Sequence, residues 1–210
     1  MHDPAKIDKP LIRVIDDDDA MRNSWAFLIE GEGWDSVKTY ADAITFLSSN
    51  DYIRPGCLLL DVRMPHMSGL ELQLKLGKPA ATCRSSSFPA TATSTWPSTH
   101  LKAGAIDFLQ KPVDDQRLLK TIENAVSHNL AQRRGKREVT DFRNRLESLT
   151  QREREVIRMV AQGYSNKEVA REYGISEKTV QVHRGSAYRK LDLHNAAEIA
   201  RLLMLTGDPL

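Results

Sequence analysis

Three aspartates and a lysine, far apart in the chain, are the residues here whose types could do chemistry together. Asp16 and Asp17 follow the apolar run LIRVI, Asp61 closes the run CLLL, and Lys111 follows AIDFLQ. Clustered carboxylates repel one another, so a site built from them is stable mainly around a hard cation, and an all-oxygen donor set points to Mg2+. Beside such a cation an aspartate can act as a nucleophile and carry an aspartyl phosphate. A lysine at the same edge would meet the phosphoryl oxygens as a mobile point charge. Taken singly, each Asp is as readily a polar strand end or a helix cap. The grouping of four argues for chemistry.

For these groups to meet, each must stand at the carboxyl end of a strand in one open sheet, where such folds bind their ligands. The flanking sequence supplies that alternation. LIRVID is followed by AMRNSWAFLIEGEG, whose apolar residues recur at helical spacing and stop at Gly31 or Gly33. WDSVKTY reads as a strand and ADAITFLSSN as a helix. CLLLD is a continuous apolar run of the kind found in a parallel strand buried on both faces. After MPHMSG, LELQLKL begins another helix; AIDFLQKP is strand-like, and DDQRLLKTIENAVSHNL is an amphipathic helix with Asp114 near its start. Alternating strands and helices indicate an α/β domain with a doubly wound parallel sheet.

The last third is organised differently. AQRRGKREVTDFRNRLES is polar, charged and poor in aromatics, and reads as a partly helical linker. From Leu149 onward every apolar pattern is helical, with Gly163 and Gly174 as stops and Ser176 as an N-cap, so a second, all-α domain follows. A helix over 164–173, a turn at Gly174 and a helix from Ser176 make a helix-turn-helix pattern, whose second helix enters the major groove of DNA. Lys178, Thr179, Gln181, Val182, His183 and Arg184 fall in its first two turns. The cations would meet phosphates, while Gln181 and Val182 could read base edges. Val180 continues the apolar period and belongs to the core. A helical bundle with no DNA role is the competing reading.

Composition agrees with this division. The chain has 210 residues, enough for one large or two small domains, with 40% hydrophobic and 28% charged residues. Net charge is only +2 but unevenly placed, with acids in a row at Asp16 to Asp19 and Lys and Arg crowded from Gln132 to Arg158. Such asymmetry makes nucleic acid the first candidate partner of the basic end. Two cysteines, Cys57 and Cys83, without paired spacing, argue against a disulfide framework or a zinc site and fit a reducing cytoplasm. No apolar run approaches the roughly 20 residues of a membrane span, and the N-terminus lacks a signal-peptide core. A soluble cytoplasmic protein, with no membrane partner, is expected.

VIDDDDAMR, LLLDVRMPHMSGLEL and LKAGAIDFLQKP resemble the receiver domain of two-component response regulators, across residues 10–128. The resemblance implies a doubly wound, five-stranded, flavodoxin-like parallel sheet. It makes Asp61 the phosphoacceptor, Asp16 and Asp17 with Asp61 the Mg2+ acids, and Lys111 the lysine that senses the phosphate. The Arg63 backbone carbonyl would be a further metal ligand, and Pro65 and Gly69 would shape the loop after the phosphorylated strand. LTQREREVIRMVAQGYSNKEVAREYGISEKTVQVHR resembles the LuxR-type DNA-binding domain, here taken as an all-α, four-helix unit over 145–210 after a linker at 129–144. Together they resemble FixJ-like or NarL-like transcriptional regulators, with the FixJ side favoured. The implied partners are a sensor histidine kinase, double-stranded DNA and, after phosphorylation, a second copy of the chain; the protein would be a switch and not a metabolic enzyme. Gly185 departs from relatives that can carry a base-contacting side chain there. Two rivals stand beside this reading. A haloacid-dehalogenase-like phosphatase would need an Asp two residues after the nucleophile, where Arg63 stands; a constitutive DNA-binding protein would have an inert receiver.

One stretch does not fit. CRSSSFPATATSTWPST, Cys83 to Thr99, has nine Ser or Thr, two prolines and no period. The receiver pattern needs a buried strand ending in a switch Ser or Thr at this place, about 22 positions before Lys111, where Pro89 stands. As written, the segment is expected to supply no such strand, because its hydroxyls would need partners in an apolar slot. Shifted by two bases, however, Ser codons of the TCN type become NTC, which encodes only Phe, Leu, Ile or Val. With permitted third bases, Thr82 to Thr99 then reads LPVIFLSGHGDIDMAVH: a strand, a switch Ser, a Gly turn and a helix start. We hypothesise two compensating frame slips, in the gene or in its sequencing. An unbroken DNA frame encoding the written residues would refute this.

Overall fold

In the computed structural model, residues 9–77, the backbone of 81–86, and residues 105–207 are described. The first unit runs Met1–Arg133 and the second Arg134–Leu210. The first alternates β1 (Leu11–Ile15), α1 (Asp19–Gly31), β2 (Val37–Tyr40), α2 (Ala43–Ser49), a single 3-10 turn (Asp51–Ile53), β3 (Gly56–Asp61), α3 (Gly69–Leu76), β4 (Ala81–Ser86) and β5 (Ala105–Gln110). It closes with the start of α4 (Asp115–Glu147). All five strands are parallel, in the order β2-β1-β3-β4-β5. This is the expected doubly wound sheet.

Strand alternation builds two cores, because successive side chains point to opposite faces. Ile12, Val14, Cys57 and Leu59 pack with Trp25 and Ile29 of α1 and Leu118, Ile122 and Val126 of α4. Ile15, Leu58 and Leu60 pack on the other face with Phe46 of α2 and Leu72 of α3. Every residue of β3 is buried, as its continuous apolar run requires. Helix starts follow local capping chemistry: the Asp18 carboxylate accepts from the Ala20 and Met21 amides, and Ser68 and Glu71 form a capping box. Arg13 breaks the apolar pattern of β1. It is fully buried, and its guanidinium donates to the Leu11 and Arg54 carbonyls. Burial lowers its pKa to about 10, with the Asp51 charge among those acting the other way.

Two expectations change. Ala81–Ser86 forms β4 despite its composition, with Asp61 opposite Ser85 on one side and Ser85 opposite Leu109 on the other. The expectation that the written segment provides no strand is therefore wrong for its first part. The physical reason is that ladder hydrogen bonds use backbone groups, which are the same for Ser as for Val, and Thr is a good strand former. Pro89 and the rest of the frame-shifted reading lie outside the described residues. The stretch 129–144 is helical throughout, inside α4, where partial helix was expected.

In the second unit, α5 (Gln151–Ala161), α6 (Asn166–Tyr173), α7 (Glu177–Leu191) and α8 (Ala196–Thr206) follow the end of α4. Phe142 and Leu146 of α4 pack with Ile157, Ala187, Leu191, Ile199 and Leu203. Thr150 with Glu153, and Ser165 with Glu168, form capping boxes, and Gly174 ends α6 in the left-handed conformation at φ 62°. Among the described residues no helix is long and apolar enough to cross a membrane.

Candidate functional site

The register places the acids. Ile15 of β1 lies opposite Leu60 of β3, so the next residues, Asp16 and Asp61, leave adjacent strands side by side. Lys111 follows β5, which is separated from β3 by β4, and its long side chain crosses that interval. Its Nζ lies 2.7 Å from Asp16 Oδ2 and 2.9 Å from Asp61 Oδ1. Both carboxylates are buried, Asp16 at 1% and Asp61 at 5% exposure. The Arg63 amide donates to Asp61 Oδ2 at 2.6 Å, and the Asp18 amide to Asp16 Oδ1 at 3.0 Å. The Arg22 guanidinium donates to the Asp16 carbonyl at 2.6 Å. On a remaining side, the Trp25 ring centroid lies 5.6 Å from the Lys111 ammonium.

Electrostatics follows from burial. Desolvation pushes Asp61 above the usual carboxylate range, against the pull of Lys111. Burial lowers Lys111, but its bonds to Asp16 and Asp61 outweigh that and hold it above the usual lysine value. Asp16, Asp61 and Lys111 are thus brought together. Asp17 is exposed beside them, and Arg63 touches Asp61 through its amide. Among the described residues no three His, Cys, Asp or Glu side chains converge closely enough to hold a metal. The cation between the two buried acids is the lysine. The two buried carboxylates are oxygen donors of the type a hard divalent ion takes.

Gly69 closes the other side. A Cβ at that position would lie 2.1 Å from the Asp61 carbonyl oxygen, so only glycine lets α3 start this close to the end of β3.

In the helical unit, α6, the Gly174 turn and α7 form the expected helix-turn-helix. Val180 is buried with Val169 and Ala170 of α6 and Val156 and Val160 of α5. Lys178, Gln181 and Val182 are exposed, and with Gly185 and Arg189 they make one stripe at spacings of three, four and seven. Val182 is 63% exposed amid polar residues. Thr179, His183 and Arg184 are half-buried. The Thr179 hydroxyl pairs with Ser176 at 2.8 Å. Arg184 donates to Asn166 at 3.3 Å and lies 5.1 Å over the Tyr188 ring. Below α7, the buried Glu153 carboxylate accepts from Ser186 Oγ at 2.6 Å, Lys190 Nζ at 2.7 Å and the Thr150 amide at 2.8 Å. Burial would raise its pKa, but these bonds hold it down at about 2.

Comparison with known proteins agrees with both geometries. Residues 12–123 match the response regulator receiver domain model, and residues 147–203 match that of the bacterial regulatory proteins of the luxR family. The transcriptional regulatory protein FixJ of Bradyrhizobium diazoefficiens is 36% identical over 93% of this chain and 95% of its own. The chain belongs to the response regulators. The response regulator protein TmoT of Ectopseudomonas mendocina is 34% identical over 95% of this chain and 90% of its own. The solved structure of the response regulator StyR matches with a TM-score of 0.76 at 34% identity, covering 94% of this chain and 99% of that one.

This response regulator therefore carries a LuxR-type DNA-binding domain and acts in two-component transcription regulation. Its relatives named above are regulators. Sequence reasoning did not single out two residues that the structure places beside these positions. Arg189 was legible as the position four after Gly185 on the same helix face. Trp25 was legible only as a core position of α1, since no motif marks an indole beside Lys111.

Proposed function

We propose that Asp61 accepts a phosphoryl group from a sensor histidine kinase and that this controls DNA binding by α7. The observation that carries the reading is the buried Asp16–Lys111–Asp61 arrangement at the carboxyl edge of β1, β3 and β5. In the transfer, an Asp61 oxygen forms the bond to phosphorus as the phosphorus–nitrogen bond to the kinase histidine breaks. Receiver domains generally bind Mg2+ at this site; here Asp16, Asp17, Asp61 and the Arg63 carbonyl would hold it, and the ion would screen the acids and the incoming phosphoryl oxygens. Lys111 moves with the charge that Asp61 surrenders and pairs with the phosphoryl group. The Arg63 amide orients the acceptor oxygen.

An aspartyl phosphate replaces the single negative charge of the carboxylate with a group of about −1.5 to −2 charge, further out and with three acceptor oxygens, which biases a two-state receiver. The outcome is release of the DNA-binding domain, or pairing of two copies of the chain. Working limits are 10–128 for the receiver, 129–144 for the linker and 145–210 for the DNA-binding domain, in a cytoplasmic protein. In the groove, Lys178 and Arg184 meet phosphates, Gln181 and Val182 face base edges, and Thr179 and His183 support them. A phosphatase reading is disfavoured by Arg63 at the position where a second acid would be needed. The test is to treat the full chain with Mg2+ and a small acyl phosphate, then map the label. Acid-labile label on the Asp61 peptide, lost in Asp61→Asn, supports the assignment; label retained in Asp61→Asn rejects it.

A further inference from the structure

We propose that Trp25 is a positioning residue for phosphoryl transfer, its indole face holding the Lys111 ammonium between Asp16 and Asp61. This rests on the reading of Asp61 as phosphoacceptor. An ammonium has three N–H donors and no acceptor. One is directed to Asp16 Oδ2 and one to Asp61 Oδ1, at 2.7 and 2.9 Å. The third side faces the Trp25 ring, 5.6 Å from its centroid, within the distance at which a ring face attracts a cation. Trp25 is 5% exposed and belongs to the buried apolar cluster that includes Ile12, Val14, Leu109 and Leu118. It therefore cannot swing away, and it keeps water from that side of the cation.

The consequence concerns the moment of transfer. Lysine carries its charge on a flexible four-carbon stem, and Lys111 must cross the end of β4 to reach Asp61. Once Asp61 is esterified, its pull on the ammonium falls, while the phosphoryl oxygens offer a new partner. A fixed ring face keeps the ammonium at the edge of the acceptor throughout this exchange. Without the ring, the cation keeps Asp16 but has no fixed surface on its third side while its second partner changes from Asp61 to the phosphoryl oxygens.

The experiment uses the full chain with Trp34→Phe and Trp96→Phe, so that Trp25 is the sole indole. Its emission is recorded with Lys111 intact and in Lys111→Met, with no phosphodonor. Labelling by a small acyl phosphate with Mg2+ is then timed in Trp25→Leu and Trp25→Phe variants of the unsubstituted chain. Both replacements shrink the core side chain, but only Phe retains a ring face. The expected result is a changed emission in Lys111→Met, labelling slowed about three- to tenfold by Trp25→Leu, and Trp25→Phe within about twofold of the parent. Equal rates in the Leu and Phe variants, or emission indifferent to Lys111, would overturn the positioning role. No acid-labile label in the parent chain would overturn the phosphoacceptor reading, and with it the role of the ring in transfer. A persisting emission change would then show the contact to be structural, so the two failures are told apart.

Discussion

Lys111 carries one positive charge between two buried carboxylates, so the cluster keeps a net negative charge that a further cation can relieve. Removing the ammonium should expose this. Lys111→Met leaves Asp16 and Asp61 facing each other in a buried place, a change that costs about 3–5 kcal/mol when one partner of a buried pair is lost. Millimolar Mg2+ should restore more stability to the variant than to the parent, because a ligand bound only by the folded state raises the melting temperature. Thermal melts of both chains with and without Mg2+ check this, and an equal response would argue against a cation site at these acids. Glu153 makes a second prediction. Its carboxyl sits at about 2 in the fold against an ordinary 4.5, so its contribution is present above about 4.5 and is lost as pH falls toward 2. Glu153→Gln should lower stability by about 1–3 kcal/mol at neutral pH, with the gap to the parent closing over that acid window. A gap independent of pH would place the loss in packing and not in the Lys190 pair.

At the scale of the element, β3 is where local geometry is least forgiving. Gly56 opens the strand at φ +134°, and a Cβ there would lie 2.0 Å from the Leu11 carbonyl oxygen. Gly56→Ala should cost the receiver about 3 kcal/mol or more through backbone strain and overpacking, a large share of the roughly 5–15 kcal/mol that holds a domain together. Helical melting of the second unit should be unchanged, and a receiver of undiminished stability would contradict the packing described. For α7, Lys178→Ala and Arg184→Ala should weaken binding to all DNA sequences and reduce the salt slope by about 1 each. Gln181→Ala should instead relax preference at one base pair by roughly 1–3 kcal/mol; an equal loss on every sequence would make its role positional. The elements legible in the sequence were those whose apolar runs, periodicity and caps agree: β1 to β3, β5, α1 to α3, the start of α4, and the helices after Leu149 with the Gly174 turn between α6 and α7. Asp16, Asp61 and Lys111 were legible because each ends an apolar run in a parallel sheet. β4 was not, because its slot is set by β3 and β5 on either side and its own residues carry no apolar period. The continuity of α4 through 129–144 was hidden by a polar composition that suits an exposed helix as well as a linker. Arg13 was unforeseeable from pattern, since its burial depends on carbonyls of the 3-10 turn forty residues away.

At the scale of the whole molecule, the proposed function requires that phosphorylation of Asp61 in the first unit control DNA binding by α7 in the second. Measuring DNA affinity of the full chain before and after treatment with a small acyl phosphate and Mg2+, in the parent and in Asp61→Asn, tests that control most directly. The operator can be selected from random duplexes with the phosphorylated chain, so no target need be assumed. Treatment should tighten specific binding in the parent and leave Asp61→Asn unchanged. Label at Asp61 without any change in affinity, or an equal change in both chains, would contradict that control.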